Sequence, residues 1–137
     1  MPTRIYVDTS AVAKLFVAER ESLDLRQWLA SQPELRLLSS ALLGVELIRL
    51  LNLINPTVVP AAEAFLANQV DIVEITPPVL ADATVVPPRR LRTLDAIHLA
   101  TVLDLGNIVD AVLTYDKFLV EAAREAGVPV AFPGAEY

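Results

Sequence analysis

Ile5-Tyr6-Val7-Asp8-Thr9-Ser10-Ala11-Val12 passes from one periodicity to another in a few residues. Ile5 to Asp8 has the composition of a buried strand. From Ser10 to Val17 the apolar residues Ala11, Val12, Leu15 and Phe16 fall at helical spacing, with Asp8 or Thr9 placed to cap. The same alternation continues. Leu23 to Ser31 reads as a helix carrying Leu25, Trp28 and Leu29 on one side, and Leu35 to Ser39 as a short strand. A long apolar helix runs from about Ala41 to Asn55 and stops before Pro56, because proline disfavours helix in the residue it follows.

Pro60 to Val70 is a further helix and Asp71 to Thr76 alternates like a strand. Val79 to Val86 is a short helix between two proline pairs. Thr93 to Leu105 is a strong helix with Gly106 at the left-handed cap position. Val112 to Thr114 is a strand, Lys117 to Ala126 a helix ended by Gly127, and Val128 to Ala131 a last strand. Strands separated by helices imply right-handed crossovers and a parallel sheet covered on both faces. The expected fold is therefore α/β: three α/β/α layers around a short parallel central sheet, in one domain spanning residues 1–137.

Hydrophobic residues make up 54% of the chain and charged ones 20%, which argues against disorder. No stretch reaches the roughly 18 uncharged apolar residues of a spanning helix. Glu46, Arg49 and Asn52 break the longest one. The chain has no cysteine, and its N-terminus lacks the apolar core of a signal peptide, so a cytoplasmic setting is expected. A net charge of −6 argues against holding nucleic acid by bulk electrostatics, though not against an enzyme that meets phosphate through a bound cation. The surplus of apolar residues suits a dimer or a covering partner.

Four acids interrupt this pattern: Asp8 and Asp116 closing strand-like runs, Asp95 in the first turn of a helix, and Glu46 inside an oily one. Read singly, Asp8 and Asp116 pass as helix caps and Asp95 as a complement to a helix dipole. Glu46 is harder to place, since Leu42, Leu43, Val45, Leu47, Ile48, Leu50 and Leu51 surround it. An ion pair with Arg49 at i+3 is worth only about 0.2–0.5 kcal/mol. Taken together, acids at strand ends lie where open α/β sheets bind ligands. Carboxylates crowded there repel one another and suit a hard cation such as Mg²⁺, or Mn²⁺, which can activate water and stabilise charge developing on phosphate.

Asp8-Thr9-Ser10 after the first strand, Ser39-Ser40 leading to Glu46-Leu47 and Arg49, Leu94-Asp95-Ala96-Ile97-His98-Leu99-Ala100, and Leu113-Thr114-Tyr115-Asp116 resemble the PIN-domain nucleases. Within them the chain is most similar to the VapC-type toxins of bacterial toxin–antitoxin pairs, over Ile5 to Pro133. The resemblance implies a Mg²⁺-dependent endoribonuclease acting on an RNA substrate, a homodimer, and a cognate antitoxin that blocks the site. It assigns Asp8, Glu46, Asp95 and Asp116 as catalytic metal ligands. It also matches Thr9, Ser10 and Thr114 to hydroxyls that hold the carboxylates in place, a role that ordinary helix caps share.

Other residues remain open between two roles at this level. His98, the only histidine, is either a substrate-facing acid or a packing histidine. Arg89, Arg90 and Arg92 either grip RNA phosphates or form a solvated loop, and Lys14, Arg49 and Lys117 are further candidates for phosphate. Trp28 suits the core or a partner-facing surface. Competing functions are a PIN nuclease of RNA processing without an antitoxin, a non-catalytic binding module whose acids only cap helices, and a phospho-acceptor receiver domain. The last lacks its paired acids and its central strand-end acceptor.

Overall fold

In a computed structural model describing residues 1–137, the first apolar run forms the middle strand of the sheet, β1 (Arg4–Val7). It pairs on one side with β2 (Arg36–Ser40), which pairs in turn with β3 (Val70–Val73). On its other side lie β4 (Ala111–Leu113) and then β5 (Val130–Ala131). The order is β3-β2-β1-β4-β5 and every pairing is parallel. After β1 the chain moves outward through β2 and β3, then returns across the sheet to begin β4. Such a reversal opens a crevice beyond the carboxyl ends of the two strands it separates, here β1 and β4. Val7 stands opposite Leu113, so Asp8 and Thr114 emerge side by side into that crevice.

Helices cover both faces, giving the three layers expected. Ile5, Val7, Leu37, Val70 and Leu113 pack against α1 (Thr9–Val12), α2 (Ser22–Ser31), α3 (Leu42–Ile54) and α4 (Val59–Gln69). On the opposite face, Tyr6, Leu38 and Val112 meet Val102 of α6 (Thr93–Leu105). Leu99 of α6 joins Leu119, Ala122 and Ala123 of α7 (Lys117–Glu125). The short α5 (Pro77–Ala83) packs on α6. Leu43, Leu47 and Leu51 of α3 recur every four residues and are fully buried. Each such leucine contributes about 1.5–3 kcal/mol of burial, which holds the helix to the sheet.

Some boundaries differ from the sequence reading. The first helix is only Thr9–Val12, followed by a tighter turn over Ala13–Leu15. Lys14 is the reason: its ammonium turns inward to Glu19 and Glu21, at 2.8 and 2.9 Å, and the chain bends to bring them together. The third strand starts at Val70 and ends at Val73, short of Thr76, whose hydroxyl instead caps α5 by accepting from Val79 N. Gly106 does take a positive φ of 58°, a conformation that L side chains rarely adopt. No helix is long and apolar enough to cross a membrane.

Candidate active site

Asp8 follows directly on β1 and is buried among donors. Its Oδ1 accepts from Ala11 N, capping α1, and from the Ser10 hydroxyl. Its Oδ2 accepts from Thr114 Oγ1 at 2.6 Å. Both hydroxyls are themselves supported by the turn after β4: Tyr115 N donates to Ser10 Oγ and Asp116 N donates to Thr114 Oγ1. The carboxylate of one strand end is thus tied through two hydroxyls to the backbone of the next. Burial pushes the Asp8 carboxyl up, and the Thr114 and Ser10 hydrogen bonds oppose it. Thr9, matched to the same role from sequence, does not share it: its Oγ1 is buried with no hydrogen-bond partner.

Asp116 caps α7, its Oδ1 accepting from Phe118 N and Leu119 N. Asp95, in the first turn of α6, faces it. The Asp95 carboxyl is pushed up to about 7 by burial first, then by the adjacent Asp116 carboxylate and by the charge of Asp8. Three of the four acids therefore converge beyond β1 and β4. Capping and convergence are not alternatives here, because Asp8 and Asp116 do both.

Glu46 arrives from the side, on α3. It is less buried than its oily neighbours suggest, with 22% of its side chain exposed, because the exposed face of α3 also takes in Val45 and Arg49. Its partner is not Arg49 but His98, whose Nε2 lies 2.7 Å from Glu46 Oε1. His98 Nδ1 lies 2.7 Å from the Tyr6 hydroxyl, which accepts from Ser40 N. Burial raises the Tyr6 phenol well above its ordinary range, so it stays protonated. With its oxygen accepting from Ser40, the phenol donates to Nδ1 and places the imidazole proton on Nε2, facing Glu46. One directed chain thus runs from a β2 amide, through Tyr6 and His98, to an acid on α3.

As the side chains stand, no three histidine or acid groups are gathered closely enough to enclose an ion on their own. Asp95 pairs with Asp116, Asp8 acts on Asp95 from farther off, and Glu46 leans on His98. The donors are all oxygen, as Mg²⁺ and Mn²⁺ require, and ions of this kind keep several waters. The raised Asp95 carboxyl is the observation that fits such an ion, since positive charge beside it would offset both the burial and the carboxylate repulsion that raise it.

Residues 5–125 match the sequence model of the PIN domain. The chain belongs to the PIN domain family. Within it the chain falls in the VapC branch: it is 42% identical to Ribonuclease VapC35 of Mycobacterium tuberculosis (strain CDC 1551) over 132 residues, 95% of this chain and 97% of that protein. The fold is shared with VapC20 of Mycobacterium tuberculosis, at a TM-score of 0.72, 22% identity, and coverage of 86% of this chain and 94% of that one. A toxin–antitoxin complex from Klebsiella pneumoniae gives a TM-score of 0.70 at 20% identity over 97% of this chain and 99% of that one.

In this PIN domain some of the sequence candidates are placed differently. Lys14 is not free for phosphate, being buried under Tyr115 and held by Glu19 and Glu21. Arg49, Arg89, Arg90, Arg92 and Lys117 are exposed. Trp28 packs against the main core, half-buried. His98 is fully buried, which removes it from direct contact with substrate and makes it a bonded packing histidine. Its link to Glu46 was not read from sequence. Two signals point to it: Tyr6 shares the parity of Asp8 on its strand, and His98 lies one turn beyond Asp95.

Proposed function

We propose that this PIN-domain protein is a divalent-metal-dependent endoribonuclease toxin, served by Mg²⁺ with Mn²⁺ able to replace it. In this reading Asp8, Glu46, Asp95 and Asp116 hold the metal, a cognate antitoxin restrains the enzyme, and it works as a homodimer. The carrying observation is the pairing of Asp95 with Asp116 beside Asp8 at the crevice between β1 and β4, where burial first and the neighbouring carboxylates next push the Asp95 carboxyl up to about 7. The name ribonuclease on the relative that is 42% identical supports RNA as the substrate. The shared fold with a toxin–antitoxin complex is consistent with an antitoxin.

When bound, the metal would supply positive charge to activate water and to stabilise the negative charge that develops on the scissile phosphate. The protein's own part is positioning. Ser10 and Thr114 fix the Asp8 carboxylate, the amides of Phe118 and Leu119 fix Asp116, and His98 fixes Glu46 through one oxygen, leaving Oε2 unengaged by it. Asp95, whose carboxyl is pushed up to about 7 and is therefore more basic than an ordinary carboxylate, is the group suited to take a proton from an attacking water. The test is cleavage of a labelled RNA by the purified protein. Cleavage is expected with Mg²⁺ or Mn²⁺, to vanish in EDTA, and to return on adding back metal. Equal cleavage in EDTA contradicts metal dependence.

A further inference from the structure

Phe118 is an aromatic without an aromatic partner. Phe16 and Phe65 meet edge to face, and Phe132 is closed off between Tyr137 and Arg124. Phe118 is 52% exposed, and its one aromatic-type contact is the Arg92 guanidinium, 5.4 Å from the ring centre. The two residues come from different elements but border the same acids. Phe118 sits in the first turn of α7 with its amide on Asp116 Oδ1, 2.9 Å away. Arg92 is the residue immediately before α6, one turn ahead of Asp95. Lys117, Arg89 and Arg90 are exposed along the same stretches, although the chain as a whole carries a net charge of −6. An exposed ring under a guanidinium, beside acids that act on phosphate, has the chemistry of a seat for an unstacked base.

We propose that Phe118 and Arg92 form a base-stacking seat for single-stranded RNA, receiving a nucleobase that flanks the phosphodiester under attack. The seat rests on the ribonuclease reading above and extends it: the exposed part of the ring can stack with any base, and the guanidinium over it supplies positive charge for phosphate. It also confines the substrate to unpaired segments, because a base within a duplex cannot reach the ring.

The test uses the intact protein and a single-stranded oligoribonucleotide of mixed sequence containing 2-aminopurine, with Ca²⁺ replacing Mg²⁺ to suppress turnover. Wild type is expected to quench the 2-aminopurine emission on binding. Phe118→Ala should abolish the quench and weaken binding about tenfold, the loss carried by one base–aromatic stack. Phe118→Tyr should keep both, and with Mg²⁺ the alanine variant should raise KM with little change in kcat. Unaltered quenching and affinity in a folded Phe118→Ala protein overturn the proposal. So does a variant that binds RNA normally but changes its oligomeric state in light scattering, which would make the ring a protein contact. If Phe118→Ala fails to fold, Arg92→Ala replaces it in the same assays, and wild-type quenching and affinity there likewise overturn the proposal. A wild-type protein that neither binds nor cleaves RNA with metal present fails at the ribonuclease reading itself, a distinct result.

Discussion

Burial and two neighbouring carboxylates push the Asp95 carboxyl up to about 7, so the folded, metal-free protein holds a proton there that the unfolded chain releases near pH 4. The sign follows. A raised folded-state value lends stability below the unfolded value, and that stability is lost as pH rises through about 7. Thermal unfolding in EDTA should therefore show Tm falling between about pH 5 and 8, and Asp95→Asn should flatten the slope. Mg²⁺ should raise Tm most at the alkaline end, where the carboxylates are ionised. A Tm in EDTA that rises over this range contradicts the assignment. His98 acts at the same scale by holding Glu46. Loss of a group that orients a metal ligand typically costs 10- to 100-fold in affinity. Calorimetric titration of Mn²⁺ should show a loss of about that size for His98→Ala, with partial recovery in His98→Gln, whose amide reaches toward Glu46. Equal Mn²⁺ affinity in a folded His98→Ala protein would show that Glu46 needs no such support.

Among the elements, α3 bears the plainest energetic consequence. Leu47 lies in the middle of a fully buried stripe between Leu43 and Leu51, on the same helix that carries Glu46. Leu47→Ala should destabilise the fold by about 2–5 kcal/mol, read as a lower urea midpoint at unchanged slope. The helices built on long apolar periodicity were legible from sequence: α6 begins and ends where its pattern and Gly106 place it. The first helix was not, because its length is decided by the inward turn of Lys14 to Glu19 and Glu21, contacts that no periodicity contains. The third strand was overrun for a related reason. Thr76 fits an alternating pattern but is needed as the cap of α5.

For the whole molecule, what joins the acids is the strand order, with β1 beside β4 and the chain departing from them in opposite directions. Sequence order shows which residues end strands but not which strands are neighbours. Asp8 and Asp116 were therefore readable as strand-end acids, and family resemblance matched Thr114 to a carboxylate-holding hydroxyl, but that it bonds Asp8 and so ties the two strand ends together is seen only in the assembled sheet. Glu46 stood out by its oily surroundings, yet its His98 partner comes from the opposite layer, and only the assembled fold brings it close. The most direct measurement of the central claim is transcriptome-wide mapping of RNA ends after induced expression, wild type beside Asp95→Asn. New, discrete 5′ or 3′ ends are expected with wild type and none with the variant. Identical RNA ends in both, at equal protein levels, would contradict it.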